Sequence, residues 1–386
     1  MFWTLLLLTL VVMSWIYWLV ACWCVVAFFA EAQPEPDGDP PPVSVLKPMR
    51  GLDAGARENL ASFLTQDYPD YEVLFGVTDP LDPALELVRR LQRQFPARRI
   101  RGIVAPKSAT NEKAAILSYL ASRARYDTLV VSDSDMRVGP DYLRRVTAPL
   151  RDPQVGLVTC LYRGSQAETL TAVLEALYMG ATFLPSVLVA RRYLRMGFAL
   201  GASVALRREQ LGQIGGFEGL ADYLADDYQL GARIAATGRR VHLSDYVIQS
   251  ILGATPFKEQ WNREVRRAKC SRVSRPREYP ALLVTFSTPL ALLAAAALGF
   301  SALGWAVVAI SLLVRWFVVQ QVTGCTGDEL SREAWLWLPL RDLLTAVVWC
   351  AASVGRRVTW RDRTFVLREG GRLQELVPRE ASQVVH

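Results

Sequence analysis

The chain has 386 residues, 51% of them hydrophobic and only 21% charged, with a mean hydropathy of +0.17. These values exclude a mini-protein, a disordered chain and a chain that is membrane throughout. The net charge of +7 suits an anionic ligand or a membrane surface, and the basic residues lack the dense clustering of a nucleic-acid binder.

Tryptophan marks the borders of the molecule. Of eleven, four lie within residues 1–30, six lie beyond residue 300, and only Trp261 falls between. Tryptophan favours the membrane–water boundary, so membrane segments are expected at both ends of a soluble body.

Residues 1–30 carry no charged side chain, and such a run is long enough to cross a bilayer core of about 30 Å. A cleaved signal peptide is the rival reading, suggested by Ala30-Glu31-Ala32. The apolar run far exceeds a signal h-region and no Lys or Arg precedes it, which favours a transmembrane anchor. Residues 31–42 are a linker; the five prolines of its 34–42 stretch cannot continue a helix.

The body, 43–278, alternates short β-branched runs with amphipathic stretches. Strands are expected at 43–47, 71–77, 99–104, 127–133 and 155–160, and helices at about 53–65, 83–94, 112–124 and 140–150. This alternation predicts an α/β domain with a mostly parallel sheet covered on both faces. The stretch Phe183–Val189 with Arg191, Arg192 and Arg195 reads as an interfacial segment.

Residues 279–355 form a second membrane region. The charge-free run Tyr279–Val314 has 36 residues, about 54 Å as one helix and too long for one crossing. A break near Gly299–Gly304 predicts a hairpin of 281–299 and 302–322. A third segment, 335–355, holds Arg341-Asp342 inside it, which favours an interfacial or re-entrant helix. The arginine-rich tail, 356–386, is expected to stay cytoplasmic with the body. Six cysteines show no paired ligand spacing and there are only two histidines, which argues against a zinc site or a His-based triad.

Carboxylates stand where such sheets bind ligands, beyond the strand ends. Run 71–77 is followed by Thr78-Asp79, and run 127–132 by Asp133-Ser134-Asp135. Two carboxylates two residues apart can turn toward one hard cation, Mg²⁺ or Mn²⁺; a turn residue or helix cap is the alternative. Further on, Gly215-Gly216-Phe217 precedes Ala225-Asp226-Asp227-Tyr228, which opens a helix. A helix N-terminus aiming a carboxylate into a cleft is a sound place for a general base, although acidic first-turn residues also simply complement the helix dipole.

Together these stretches resemble the membrane-bound GT-A glycosyltransferases, specifically the ceramide glucosyltransferase-like family (glycosyltransferase family 21). The resemblance runs from the anchor and KPMRGLD at 47–53, through FGVTDPLDPAL at 75–85 and SDSDMRV at 132–138, to WRDR at 360–363. It implies a Rossmann-like GT-A domain with an N-terminal transmembrane helix and C-terminal membrane helices. VGLVTCLYRG at 155–164 is similar to hopanoid-associated bacterial members. By this resemblance Asp79 and Asp133 contact the nucleotide, Asp133 and Asp135 hold the Mg²⁺ or Mn²⁺, Asp227 is the catalytic base, and Lys113 of Asn111-Glu112-Lys113 meets the diphosphate. The family's (Q/R)-x-x-R-W motif is imperfect here. In the register Arg263-Glu264-Val265-Arg266-Arg267, Arg267 replaces Trp; the register Gln260-Trp261-Asn262-Arg263-Glu264 loses it as well. Arg263 and Arg266 are carried over as donor-binding residues, with a solvated or lipid-facing charge as the alternative.

The implied activity is transfer of glucose or a related hexose from a UDP-sugar to the hydroxyl of a membrane lipid, a ceramide or sphingolipid or a hopanoid polyol, with inversion. The implied location is a bacterial inner membrane, with the catalytic domain facing the cytoplasm. The alternatives are a processive polysaccharide synthase and a catalytically silent scaffold that binds nucleotide-sugar.

Overall fold

The computed structural model describes residues 1–31, 39–107, 110–194, 196–360 and 363–376. Most of the Pro-rich linker, Arg195 and the centre of WRDR lie outside that set. Helix α1 (Phe2–Ala30) precedes an α/β body. The body comprises β1 (Val43–Pro48), α2 (Ala56–Ser62), β2 (Tyr71–Val77), α3 (Pro83–Gln94), β3 (Arg99–Val104), α4 (Glu112–Arg123), β4 (Thr128–Ser132) and β5 (Met136–Arg137). It continues through α5 (Tyr142–Thr147), β6 (Val155–Ala167), α6 (Leu170–Tyr178), α7 (Leu184–Tyr193), β7 (Ser203–Arg207) and α8 (Arg208–Gln213), then α9 (Asp226–Ala236), β8 (Arg240–Gly253) and α10 (Phe257–Ser274).

Eight strands form one mixed sheet of order β3-β2-β1-β4-β7-β6-β8-β5. Strands β3, β2, β1 and β4 run parallel, β7 is antiparallel to both neighbours, and β6 pairs parallel with β8. Strands β1, β2 and β4 are buried along their whole length because both faces are covered, whereas the edge strand β3 is largely exposed. Leu60, Phe63, Val88 and Tyr142 pack on one face, and Ile116, Leu120, Leu230 and Ile234 on the other. Helix starts follow local chemistry: the Asp82 carboxylate accepts from Ala84 N–H with Pro83 in the first turn, and Asn111 accepts from Ala114 N–H.

The apolar elements form a bundle beside the body. After α10 come a 3₁₀ turn (Tyr279–Thr285), α11 (Ser287–Ala297), α12 (Ala302–Thr326), α13 (Glu329–Glu333) and α14 (Leu338–Ser353). Among the described residues, four helical stretches are long and apolar enough to cross a membrane: Phe2–Ala30, Leu170–Tyr193, Ala302–Thr326 and Glu329–Ser353. The expected first arm of the hairpin is broken instead, with Tyr279–Thr285 and Ser287–Ala297 bent by 71°. Pro289 explains the break, since it has no N–H to donate to the Thr285 carbonyl one turn back. Trp18 Nε1 donates to that carbonyl from α1 at 3.1 Å.

The charges inside the apolar helices are satisfied within the protein. Arg315 donates to Asp342 at 3.1 and 2.8 Å, to the Ala181 carbonyl at 3.0 Å, and stacks on Trp18 at 3.7 Å. Ala181 lies in a π-helical turn (Met179–Phe183) between α6 and α7, where a backbone carbonyl is freed for such a donor. Arg341 grips Glu264 with two bonds of 2.7 Å. Neither Arg315 nor the Arg341-Asp342 pair therefore carries a lipid-exposed charge penalty. The 183–189 stretch also differs from the interfacial reading: Leu184, Val187 and Leu188 are buried against Trp18, Val25 and Phe28 of α1. Arg191 at its end pairs with Glu31 at 2.8 Å.

The tail contains structure beyond a basic extension. Strands β9 (Arg357–Trp360), β10 (Arg363–Leu367) and β11 (Leu373–Glu375) form a three-stranded antiparallel sheet. Val358, Phe365, Leu367 and Leu373 pack against Leu224, Cys270 and Val273.

Candidate active site

The strand order reverses between β1 and β4, which opens a crevice beyond their carboxyl ends. Lys47 near the end of β1 donates from Nζ to the Asp133 carbonyl at 2.8 Å and stacks on Phe63 at 3.6 Å. It is fully buried. Burial pushes its ammonium down to about 7, against the pull of Asp133, Asp135 and Asp53.

Asp133 follows β4 directly, and its carboxylate pairs with Lys113 Nζ at 2.5 Å. Burial opposes the charge on Lys113, but Asp133, Asp226 and Asp227 more than offset it and hold the ammonium above its ordinary range. Asp135 turns toward β8, accepting from Ser250 Oγ at 3.3 Å. Burial raises its carboxyl to about 7, and the charges of Asp133 and Asp53 add to the rise. Asp53 is held by Ser134 Oγ at 2.5 Å. Asp133, Asp135 and Asp53 gather hard carboxylate oxygens near one strand end, a donor set that suits a divalent cation. Among the described residues no three His, Cys, Asp or Glu side chains close into a complete metal cluster. An ion here would draw its remaining ligands from a diphosphate or water.

The second carboxylate pair arrives from the other half of the sheet. Gly215 and Gly216 adopt φ of +84° and +68°, a turn that L side chains rarely allow. Phe217 after them is buried beneath α9 and lines a cavity of about 20 Å³ with Lys113, Gly201, Asp226 and Asp227. Asp226 and Asp227 open α9. Asp227 Oδ1 accepts from Tyr228 N–H at 2.7 Å. Its Oδ2 and that of Asp133 both approach Gly201, where a Cβ would lie 2.8 and 3.8 Å from them. Burial raises both carboxyls, Asp226 to about 6, with Lys113 pulling the other way. The arrangement therefore brings Asp133, Lys113, Asp226 and Asp227 into one electrostatic unit with Asp135 beside it.

Asn111 fixes the loop in front of α9. Its backbone N–H donates to the Ala221 carbonyl and its side-chain amide to the Tyr223 carbonyl, both at 2.9 Å. The tail sheet holds the same loop from outside, through Leu373 N–H to the Asp222 carbonyl at 2.7 Å and Arg372 Nε to Tyr223 Oη at 3.0 Å.

The profile of the family described as Glycosyl transferase family 21 matches residues 6–373. The chain belongs to that family. Ceramide glucosyltransferase 1 of Caenorhabditis elegans is 24% identical over 350 residues, covering 88% of this chain and 74% of that protein. Ceramide glucosyltransferase 3 of the same organism is 25% identical over 347 residues, covering 87% and 75%. Among solved structures, the mannosyltransferase PcManGT from Pyrobaculum calidifontis in complex with GDP-Man and Mn²⁺ aligns with a TM-score of 0.55 at 20% identity, covering 91% of this chain and 97% of that one. That likeness shows the fold, a GT-A-like, mostly parallel mixed sheet with flanking helices.

In this family 21 glycosyltransferase the remaining residues singled out in the sequence come from other elements, Asp79 from the end of β2 and Arg263 and Arg266 from α10. Asp79 is exposed beyond β2, where its carboxylate accepts from Leu81 N–H at 2.9 Å. Arg263 is turned toward Glu175, fully buried on α6, at 3.2 Å, and Arg267 reaches the same carboxylate at 3.1 Å. Gln260, Arg263, Glu264 and Arg267 thus form the inward side of α10 at helical spacing. Glu264 takes the place of the motif's Trp in one register, and Arg267 takes it in the other. Arg266 lies one turn before Cys270; burial pushes that thiol up to about 12, and the nearby charges of Asp227 and Asp226 add to the rise while Arg266 opposes it. Sequence reasoning missed Lys47, Asp53, Gly201 and Glu175. Lys47 and Asp53 had a signal, since both belong to KPMRGLD; Glu175 had none, because its partners lie about ninety positions away.

Proposed function

We propose that the protein is a membrane-bound inverting glycosyltransferase that moves a hexose, glucose foremost, from a UDP-sugar to the hydroxyl of a membrane lipid. The observation that carries this reading is the convergence of Asp133, Asp135 and Lys113 with the Asp226–Asp227 pair at the switch point of the sheet, beside helices apolar enough to span a bilayer. The ceramide glucosyltransferases among its relatives support a lipid acceptor.

Asp133 and Asp135 would hold a divalent ion, Mg²⁺ or Mn²⁺, which neutralises charge on a diphosphate leaving group when bound. Lys113 offers the same diphosphate a buried ammonium. Asp227 takes the proton from the acceptor hydroxyl as its oxygen attacks the anomeric carbon. The bond from that carbon to the diphosphate breaks, and UDP leaves with the electron pair. Burial raises the Asp227 carboxyl above the usual range, which moves its basicity toward the working pH. Attack from the face opposite the leaving group inverts the anomeric carbon. We place the catalytic domain on the cytoplasmic side of a bacterial inner membrane, where UDP-sugars are made.

The test is transfer by purified protein in vesicles containing ceramide or a hopanoid polyol, with UDP-glucose, in Mn²⁺ or in EDTA. The reading expects a glycolipid product of inverted configuration in Mn²⁺ and loss of product in EDTA. No product with either acceptor, or a product of retained configuration, contradicts it.

A further inference from the structure

A cleft of about 400 Å³ opens between the end of α10 and the start of α9, lined by Leu194, Tyr228, Ser274, Arg275, Arg277 and Glu278. The nucleotide reading makes no use of it. Two of its lining residues lead to the base. Tyr228 directly follows Asp227. Ser274 lies one helical turn beyond Cys270, on the side of α10 within electrostatic reach of Asp226 and Asp227.

The lining combines donors, acceptors and an aromatic wall. Arg275 stacks on Phe198 at 4.8 Å and on Tyr228 at 5.7 Å, which fixes the plane of its guanidinium. Arg277 is exposed. Ser274 and Glu278 supply oxygens that accept. The segments adjoining the cleft are apolar and exposed: Tyr193 and Leu194 end α7, and Leu282 and Leu283 lie in the 3₁₀ turn that follows the lining segment. A site for a soluble sugar has no use for such lips, whereas a lipid drawn partly out of a bilayer does. The volume suits a headgroup rather than a whole lipid.

The geometry points to this cleft as the entry and headgroup site of the lipid acceptor. The ligand is a hydroxyl-bearing lipid whose oxygens accept from Arg275 and Arg277, whose hydroxyls donate to Ser274 and Glu278, and whose chains leave past Leu194 and Leu282. The inference rests on the lipid-acceptor reading above and adds the place and polarity of recognition.

The test uses the full-length protein in nanodiscs with three photoreactive probes: a ceramide, a hopanoid polyol and a phosphatidylglycerol, each with a diazirine near its headgroup. Labelled peptides are mapped by mass spectrometry. Either the ceramide or the polyol is expected to label peptides containing residues 193–194 or 274–278, and which one does so identifies the acceptor. Ser274→Trp fills the cleft and should abolish that labelling and raise the acceptor KM at least tenfold, with UDP-glucose affinity retained. Arg277→Glu, at an exposed position that needs no repacking, should weaken labelling by about tenfold through loss of a charged donor. Labelling outside the cleft, labelling that survives both substitutions, or preferential labelling by phosphatidylglycerol would overturn the inference. Cleft labelling by ceramide or polyol without sugar transfer keeps the site and overturns the transferase reading. Transfer with an acceptor KM indifferent to Ser274→Trp does the reverse.

Discussion

Glu264→Gln removes the charge opposite Arg341, and the structure sets the scale of the damage. The two side chains are 4% and 1% exposed and share two bonds of 2.7 Å. Gln260 adds a third bond to Glu264 at 2.8 Å. A glutamine keeps the volume, but it turns an amide N–H₂ toward a guanidinium that can only donate, and it leaves that guanidinium buried without a counter-charge. Breaking a buried pair from one side costs about 3–5 kcal/mol, which predicts a fall of roughly 5–10 °C in the melting midpoint. Replacing both partners by apolar residues, Glu264→Leu with Arg341→Met, removes the uncompensated charge and should restore stability to near wild type or above. Thermal melts followed by tryptophan fluorescence in nanodiscs make the comparison. A Glu264→Gln protein that melts with the wild type, or a double variant that melts as low as the single, refutes the reasoning. Because α10 carries Cys270 past Asp226 and Asp227, the single variant should also lose transfer activity in proportion to its disorder.

Three further predictions concern the carboxylate unit. Gly201→Ala places a methyl group 2.8 Å from Asp227 Oδ2. The movable carboxylate gives way, so stability should change little while transfer falls by about 10²-fold; a full rate in a melt-matched variant contradicts this. Asp226 has its carboxyl raised from the ordinary value to about 6, so the folded protein holds this proton more tightly than the unfolded chain. Stability from this group is therefore complete below about pH 4 and is lost as pH rises through about 6. Asp226→Asn should raise the melting midpoint in EDTA above pH 6 and have little effect near pH 4, and a gain that is flat or reversed across that window counts against the assignment. Asp135→Ala should weaken UDP-glucose binding in Mn²⁺ and make it indifferent to EDTA, as measured by calorimetry; affinity and EDTA response like the wild type's would remove Asp135 from the ion site.

Much of the catalytic body was legible because its signals are local. Strands β1 to β4 and helices α3 and α4 follow hydrophobic periodicity within a few residues, and the strand-end carboxylates follow from where those strands stop. What escaped depends on partners distant in sequence. The long pairing of β6 with β8 joins residues 155–167 to 240–253, and nothing in either run announces the other. Arg341 and Asp342 pointed to a re-entrant segment because their buried partners, Glu264 and Arg315, lie 77 and 27 positions away in sequence. Pro289 was a local signal that went unused, and its missing N–H accounts for the bent first arm. The tail sheet was hidden by arginine content: Val358, Phe365, Leu367 and Leu373, which share its buried side, are spread over short strands bordered by Arg357, Arg363, Arg368 and Arg372. The departure from the (Q/R)-x-x-R-W motif also has a structural counterpart, since Glu264 and Arg267 each take a buried partner of opposite charge, Arg341 and Glu175.

The most direct test of the account is Asp227→Asn. The substitution keeps the size of the side chain and its place at the start of α9, and removes only the ability to take a proton. Transfer from UDP-glucose to lipid in vesicles should fall by about 10²–10⁴-fold, while UDP-glucose affinity in Mn²⁺ and the melting midpoint stay near the wild-type values. Transfer at close to the wild-type rate would contradict the assignment of Asp227 as the base and the mechanism built on it.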